Sequence, residues 1–314
     1  MLNILGGFCV IADVVPYHCD TLEEAEDAVR VATRALIRVN TMPSVYQSEV
    51  QRTNRIGVGL TGIHEFAYKF FGHSFLALID EHKSQDFWDA IRRLSEAVQD
   101  EAATYSQQLG VAVPHTVTTI KPAGTTSKLF GLTEGCHLPA MGCYMRWVQF
   151  KTGDPIIDTY RKAGYPTQDL KTFKGSTIVG FPTKPEICDV IPEDKIVYAG
   201  DATPAEQYQF VGLLEKYWLR NDKGNQISYT LKYKPDETPY EVFKYTMEKY
   251  QPTIKCASVM PQEEVISAEY QPEEPMTLAE YNEWMSIIKP VKEGEDVGRE
   301  HVECGTGGCP VDFK

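Results

Sequence analysis

The chain has 314 residues, of which 44 are acidic and 31 are lysine or arginine, so its formal net charge is -13. Hydrophobic residues make up 42% and aromatic residues 11% of the chain, which is typical of a packed globular protein and excludes wholesale disorder. No apolar stretch approaches the ~18 uninterrupted residues of a membrane span. The acidic balance disfavours a protein that binds nucleic acid by neutralising phosphates.

The negative charge is concentrated toward the C-terminus. From Cys256 onward the chain has 13 acidic and 4 basic residues, a net charge of -9, so the preceding 255 residues carry only -4. We therefore predict two regions, a catalytic body over residues 1–255 and an acidic segment over residues 256–314 that ends in a mobile tail.

Helix and strand signals alternate along the body. Predicted helices begin at Ser, Thr or Asp caps and continue with apolar residues at helical spacing, and predicted strands are rich in Val, Ile, Thr and aromatic residues. In chain order we predict strand 8–15, helices 21–40, 62–71 and 84–109, strands 116–121 and 145–150, helix 154–163, strand 176–181, helix 203–220, strand 226–233, helix 238–250, strand 253–259 and a last helix from Thr277. This alternation indicates an α/β fold with a largely parallel sheet, either a barrel, part of one or an open doubly wound sheet.

Two cysteines close to the C-terminus form the first candidate site. The chain has eight cysteines and no sign of a secretory signal, which favours a cytoplasmic protein with reduced thiols. Cys304 and Cys309 are joined by Gly-Thr-Gly-Gly, a linker that lets the two thiols form a disulfide and exchange it with a redox partner. The alternatives are two idle thiols or a zinc site, for which only His301 lies nearby as a further ligand.

The segment IKPAGTTSKLFG is the second candidate site. A predicted strand runs into small and hydroxylated residues, where consecutive backbone N–H groups and side-chain hydroxyls can bind phosphate. The residues concerned are Pro122, Ala123, Gly124, Thr125, Thr126 and Ser127. The Walker spacing is absent, and a simple strand-to-loop turn with capping hydroxyls explains the segment equally well.

Gly57–Gly62 matches G-x-G-x-x-G, which in a dinucleotide-binding fold follows a buried strand. Residues 51–55 are too polar for such a strand, so we predict close backbone packing at a helix start rather than a nicotinamide site. The histidines show no metal-ligand spacing, and we predict no metal site.

Together these segments resemble the catalytic chain of ribonucleotide reductases, most closely the adenosylcobalamin-dependent class II enzymes. The matching segments are TNRIGVGLTGIHEF, KPAGTTSKLFGLTEGCHLP, GNQISYTLKYKP, QPTIKCASVMPQ and CGTGGCPVDFK. The resemblance implies the C-terminal portion of a ten-stranded α/β barrel. It also implies reduction of ribonucleotides to deoxyribonucleotides for DNA replication, by a thiyl radical that adenosylcobalamin generates.

The resemblance assigns roles to individual residues. Cys9 in GGFCVIADVV matches one of the two cysteines that reduce the substrate, and residues 122–127 match the substrate-phosphate loop. Cys304 and Cys309 match the pair that re-reduces the active-site disulfide and is regenerated by thioredoxin or glutaredoxin. The form of the tail suggests ribonucleoside triphosphates as substrates.

The family's radical-bearing motif, Asn-Pro-Cys-x-Glu, does not occur in this chain. We therefore expect the C-terminal piece of a split or truncated reductase, inactive without an N-terminal partner chain. That partner would supply the radical cysteine, the acid–base glutamate, the second reducing cysteine and the allosteric region.

Two other functions remain open. A class I-type large-subunit fragment is disfavoured because Tyr270 and Tyr281 are isolated and no Tyr-Tyr pair occurs. A non-catalytic thiol-exchange or regulatory remnant would have no role in deoxynucleotide synthesis.

Overall fold

The structure is a computed structural model that describes residues 10–220, 223–262 and 269–291. Its helices are α1 Leu22–Thr41, α2 Gln47–Thr53, α3 Ile63–Phe71, α4 Phe75–Leu78, α5 Gln85–Leu109, α6 Gly124–Phe130, α7 Pro155–Lys162, α8 Ile187–Val190, α9 Pro204–Leu214, α10 Tyr240–Tyr250 and α11 Leu278–Ile287. Each of the seven predicted helices is present, and α2, α4, α6 and α8 are helices that were not predicted. A π-helical segment, Glu215–Leu219, extends α9 and ends at Arg220, which has a left-handed backbone (φ 50).

The strands form one parallel sheet, one antiparallel sheet and one parallel pair. They are β1 Ile11–Val14, β2 Arg55–Leu60, β3 Thr116–Ile120, β4 Tyr144–Lys151, β5 Thr167–Asp169, β6 Ser176–Thr183, β7 Gly224–Ile227, β8 Thr230–Tyr233, β9 Ser258–Pro261 and β10 Glu273–Pro275. The parallel sheet has the order β1-β2-β3-β7, the antiparallel sheet the order β10-β4-β6-β5, and β8 pairs with β9.

The predicted α/β fold is confirmed, with three local differences. The strand predicted over 226–233 is divided into β7 and β8, and the one predicted over 253–259 lies at Ser258–Pro261. The strands predicted over 145–150 and 176–181 pair antiparallel as β4 and β6, although a largely parallel sheet was expected.

Strand β2 is a correction to the sequence analysis. Residues 51–55 were judged too polar to precede a dinucleotide-binding turn, but the strand begins at Arg55 and contains Gly57 and Gly59. Ile56, Val58 and Leu60 alternate with the glycines and are fully buried. Alternate residues of a strand face opposite sides of the sheet. The apolar residues therefore supply one buried face, and the glycines place no side chain on the other face. Gly57 and Gly59 therefore lie within the strand, and Gly62, the last glycine of the motif, is the left-handed N-cap of α3.

Buried side chains from the helices pack in the core beside the parallel sheet, and one buried polar side chain, Asn225, links its strands. Trp88 of α5 and Trp218 of the π segment are fully buried, and the Trp218 indole N–H donates to the Thr119 carbonyl at 2.9 Å. On β7, the Asn225 amide donates to the Ile56 carbonyl (2.8 Å) and the Thr118 carbonyl (2.9 Å), so it links three neighbouring strands. These bonds keep β2, β3 and β7 in fixed register beside the site.

The described residues divide into two compact units. The first comprises residues 10–140 and 186–262 and contains the parallel sheet; the second comprises residues 141–185 and 269–291 and contains the antiparallel sheet with α7 and α11. The predicted functional division at residue 256 stays a prediction. Within the described ranges, no helix is both long enough and apolar enough to cross a membrane.

Candidate functional site

The predicted phosphate segment forms a tight turn at the carboxyl end of β3. All five residues of β3 are buried in the middle of the parallel sheet, and the chain leaves it at Lys121. Ala123 takes a left-handed backbone (φ 58), and α6 begins at the next residue, Gly124. The first helical bond is donated by the Ser127 N–H to the Ala123 carbonyl at 2.8 Å. The backbone N–H groups of residues 124–126 have no acceptor within the helix, because they lie before the first helical hydrogen bond. An anion at the helix start can accept hydrogen bonds from them.

The side chains of this turn differ in exposure. Gly124 and Thr125 are exposed, Thr126 is half-buried and Ser127 is buried. The Ser127 hydroxyl has no hydrogen-bond partner among the described residues. The Lys128 Nζ lies 3.7 Å from the Glu134 Oε1, so its charge is paired with a carboxylate that lies beside Gly124. The exposed end of the turn therefore offers backbone N–H groups and the Thr125 hydroxyl to a ligand.

A second loop, residues 131–138, is held against the turn by two buried side chains of the β2–α3 region. Glu65 accepts hydrogen bonds from the Thr133 N–H (2.8 Å) and the Thr133 hydroxyl (2.6 Å). Thr61 accepts from the Gly135 N–H at 2.8 Å and donates to the Thr133 carbonyl at 3.2 Å. Gly135 has a left-handed backbone (φ +57), and a Cβ there would overlap the Lys121 carbonyl. The loop is thus fixed in direct contact with the start of the turn at residues 122–127.

Burial raises the pKa of the Glu65 carboxyl above its usual range, even though both bonds from Thr133 favour the charged form. Between the ordinary glutamate pKa and the raised pKa, the folded state holds a proton that the unfolded state has lost. The free energy of unfolding therefore falls as the pH rises through this range. We predict that Glu65→Gln increases the free energy of unfolding at pH 7 and that this gain disappears below about pH 4. Urea unfolding at the two pH values measures it.

Glu49→Gln is the matched control for this prediction. A side-chain bond from Arg52 lowers the pKa of Glu49, so its neutralisation should reduce stability at pH 7 and not increase it. A Glu65→Gln variant that is less stable than the unmodified chain at pH 7, but equally stable at pH 4, would contradict the prediction.

The buried cysteine and histidines near the loop are structural. Burial raises the pKa of the Cys136 thiol to about 12, so it is not a thiolate at neutral pH. The His137 Nε2 accepts from the Thr230 N–H at 3.0 Å, and its Nδ1 lies 3.0 Å from the Glu134 carbonyl, so both ring nitrogens are engaged. The His137 ring also stacks on Tyr229 at 4.9 Å.

An ion pair that the sequence analysis missed lies at the same edge of the sheet. Asp13 on β1 pairs in register with Gly59 on β2, and the Lys121 Nζ reaches the Asp13 Oδ2 at 2.8 Å from the far side of β2. The Asp13 side chain is 3% exposed. A Cβ at Gly59 would lie 3.0 Å from Asp13 Oδ1, so the pair spans β2 where β2 has no side chain. An acid inside an apolar strand and glycines alternating with apolar residues were the signals for it.

The predicted site residues have different outcomes. Residues 122–127 come together in one turn, and their role in phosphate binding stays a prediction. Cys9, Cys304 and Cys309 lie outside the described residues. Within the described ranges, no group of three His, Cys, Asp or Glu residues could hold a metal ion.

No family model matches the chain. The adenosylcobalamin-dependent ribonucleoside-triphosphate reductase of Lactobacillus acidophilus is 26% identical over 98% of this chain and 43% of the relative. The enzyme of the same name from Lactobacillus leichmannii is 24% identical over 98% of this chain and 44% of the relative. The chain therefore spans less than half the length of these relatives.

Solved structures give the same result for the fold. The crystal structure of a B12-dependent class II ribonucleotide reductase matches with a TM-score of 0.75 and 24% identity, over 90% of this chain and 40% of that one. The fold is that of part of a class II ribonucleotide reductase. The α subunit of the Actinobacillus ureae class Id ribonucleotide reductase matches less well, with a TM-score of 0.52 and 12% identity over 81% of this chain and 50% of that one. The resemblance to class II ribonucleotide reductases is confirmed.

Proposed function

We propose that this chain is the C-terminal part of the catalytic unit of an adenosylcobalamin-dependent reductase. The unit converts ribonucleoside triphosphates to 2′-deoxyribonucleotides in the cytoplasm. The observation that carries the proposal is the turn at residues 122–127, located at the carboxyl end of a central parallel strand. Relatives that align with 98% of the chain are named for this activity.

The turn binds the substrate phosphates through its backbone. The N–H groups at the start of α6 and the exposed Thr125 hydroxyl are donors, and the helix start carries partial positive charge. Anions are ordinarily bound by such groups without a dedicated side-chain cage. The loop held by Thr61 and Glu65 keeps the donors in place, so little conformational entropy is lost on binding.

The thiols supply the reducing electrons. Cys9 and a second cysteine from the N-terminal partner lose two electrons and two protons, form a disulfide, and the substrate's 2′-hydroxyl leaves as water. Cys304 and Cys309 then reduce that disulfide by thiol–disulfide exchange and become a disulfide themselves. Thioredoxin or glutaredoxin restores the dithiol.

Adenosylcobalamin, when bound, supplies the radical that oxidises the partner's catalytic cysteine. The histidines of the core do not fit the role of cobalt ligand. The His64 ring is buried inside the core between Phe75 and Phe210. Both nitrogens of His137 are engaged. We therefore assign no described residue to the cofactor and derive no step through it.

The function is tested by comparing turnover with two reductants, thioredoxin and dithiothreitol, in the enzyme assembled with its N-terminal partner. Changing Cys304 and Cys309 to Ser should abolish thioredoxin-driven turnover and preserve turnover driven by dithiothreitol, which reaches the active-site disulfide directly. Cys188→Ser, on α8, is the control and should preserve both. Unchanged thioredoxin-driven turnover in the double variant would contradict the proposed role of the two tail cysteines. Absence of turnover with either reductant in the unmodified assembly would contradict the proposed reductase activity.

A further inference from the structure

We propose that α11 is the surface on which a thioredoxin-type oxidoreductase docks when it re-reduces the disulfide of Cys304 and Cys309. The inference rests on the proposed function and names the surface that recognises its redox partner. In the exchange, one thiolate of the partner attacks the tail disulfide and its second thiol then resolves the mixed disulfide. The tail gains two electrons and two protons, and the partner becomes a disulfide.

The first support is the apolar surface of α11. None of the residues of this helix is buried. Leu278 is 51% exposed, Met285 48% and Ile287 52%. Leu278 and Met285 are seven residues apart, so they lie on the same side of the helix, two turns from each other. A surface helix ordinarily buries its apolar residues in its own protein, so this one retains apolar area for a partner.

The second support is that α11 is held in place at both ends. At its start, the Glu280 N–H donates to the Thr277 hydroxyl at 3.2 Å, and the Glu280 carboxylate accepts from the Thr277 N–H at 2.7 Å. The strand before the helix, β10, pairs with β4. After the helix, the Lys289 N–H donates to the Ala163 carbonyl at 2.8 Å, at the end of α7. A surface that is ordered before binding loses less conformational entropy on association.

The third support is the position of α11 in the chain. Cys304 comes 16 residues after Ile288, a length that spans at most about 55 Å when extended. An oxidoreductase of about 100 residues has a radius of gyration of about 13 Å. A partner docked on α11 can therefore bring its reactive cysteine to the tail disulfide. Docking makes the exchange effectively intramolecular, which raises the effective concentration of the disulfide.

The segment between the two cysteines offers little surface for recognition. Its four residues, Gly-Thr-Gly-Gly, have no apolar side chain. Apolar and aromatic side chains supply much of the binding energy at protein interfaces. The partner therefore needs a second surface, and among the described helices α11 is the nearest in sequence to the cysteines.

The experiment measures the second-order rate constant for reduction of the oxidised tail of the 314-residue chain by reduced thioredoxin. Reduction by dithiothreitol is the reference, because a small dithiol needs no docking surface. Leu278→Glu should lower the thioredoxin rate constant about tenfold, because docking then has to desolvate a carboxylate. Met285→Ala, which only shortens a side chain, should lower it about threefold to fivefold. Both variants should react with dithiothreitol as the unmodified chain does.

Leu76→Glu is the matched control. Leu76 is 52% exposed and lies in α4 of the first unit. Leu278 and Leu76 are both in the first turn of their helices, where a glutamate interacts favourably with the helix dipole. The control variant should retain both rate constants.

The outcomes separate the docking surface from the proposed function. Equal thioredoxin rate constants for Leu278→Glu and the unmodified chain would overturn the docking surface and leave the tail exchange standing. Sedimentation velocity would then show whether a second copy of the chain or the N-terminal partner covers α11 instead. Equal losses in Leu278→Glu and Leu76→Glu would also overturn it. If thioredoxin does not reduce the tail of the unmodified chain, the proposed shuttle fails, and the docking surface fails with it.

Discussion

Replacing Thr125 with Asp should weaken triphosphate binding at least about tenfold without destabilising the fold. Thr125 is exposed and lies in the first turn of α6. An acidic residue in the first turn interacts favourably with the helix dipole, by about 0.3–1 kcal/mol, so folding is not impaired. The same carboxylate competes for the backbone N–H groups and repels phosphate. We expect the affinity for inorganic triphosphate to fall at least about tenfold, which corresponds to about 1.4 kcal/mol.

Gln85→Asp is the control for the charge change. Gln85 is the first residue of α5, is exposed, and places an identical carboxylate at the start of another helix. This variant should bind triphosphate as the unmodified chain does. Calorimetric titration measures the affinity of both variants for inorganic triphosphate, and thermal unfolding checks that both are folded. Equal affinities for Thr125→Asp and the unmodified chain would contradict phosphate binding at this turn.

Gly135→Ala should be the most destabilising of the single changes considered. Gly135 has a left-handed backbone, and an added Cβ would overlap the Lys121 carbonyl and lie 3.2 Å from Ile120 Cγ2. The left-handed conformation costs an alanine about 1–2 kcal/mol, and overpacking adds about 1–3 kcal/mol. We expect the free energy of unfolding to fall by about 2–5 kcal/mol, with weaker triphosphate binding because the overlap moves the start of the turn.

Gly110→Ala separates backbone strain from steric overlap. Gly110 has nearly the same backbone angle (φ +66), but a Cβ there meets nothing within 4 Å. Its substitution should cost only the strain, about 1–2 kcal/mol, and should not change triphosphate affinity. Urea unfolding of both variants measures the difference. Equal losses of stability would show that the Gly135 loop does not press on the turn.

The elements that depend on local signals were predictable from the sequence. The helix predicted over 21–40 is Leu22–Thr41, where the Thr21 hydroxyl accepts from the Glu24 N–H at 3.1 Å as its capping pattern indicates. The helix predicted over 84–109 is Gln85–Leu109, closed by Gly110 in a left-handed conformation. Capping and apolar spacing act within a few residues, so a single sequence contains them. The turn at residues 122–127 was predictable for the same reason, since its residues are contiguous; its role in phosphate binding stays a prediction.

The parts that depend on distant contacts were not predictable. Glu65 holds Thr133 across 68 residues of sequence, and nothing near either residue indicates the other. The Asp13–Lys121 pair requires the strand order β1-β2-β3, and the absence of β2 from the prediction hid it. Strand β2 was missed because polarity was judged over residues 51–55, whereas burial is decided by Ile56, Val58 and Leu60.

The most direct test of the central claim is the formation of 2′-deoxycytidine triphosphate from cytidine triphosphate with adenosylcobalamin and dithiothreitol. The purified chain is assayed alone and mixed with an N-terminal polypeptide of the same family that carries Asn-Pro-Cys-x-Glu. We predict no product from the chain alone and cobalamin-dependent product from the mixture, with a lower yield in Thr125→Asp. Product formed by the chain without a second polypeptide, or by the mixture with unchanged yield in Thr125→Asp, would contradict the account.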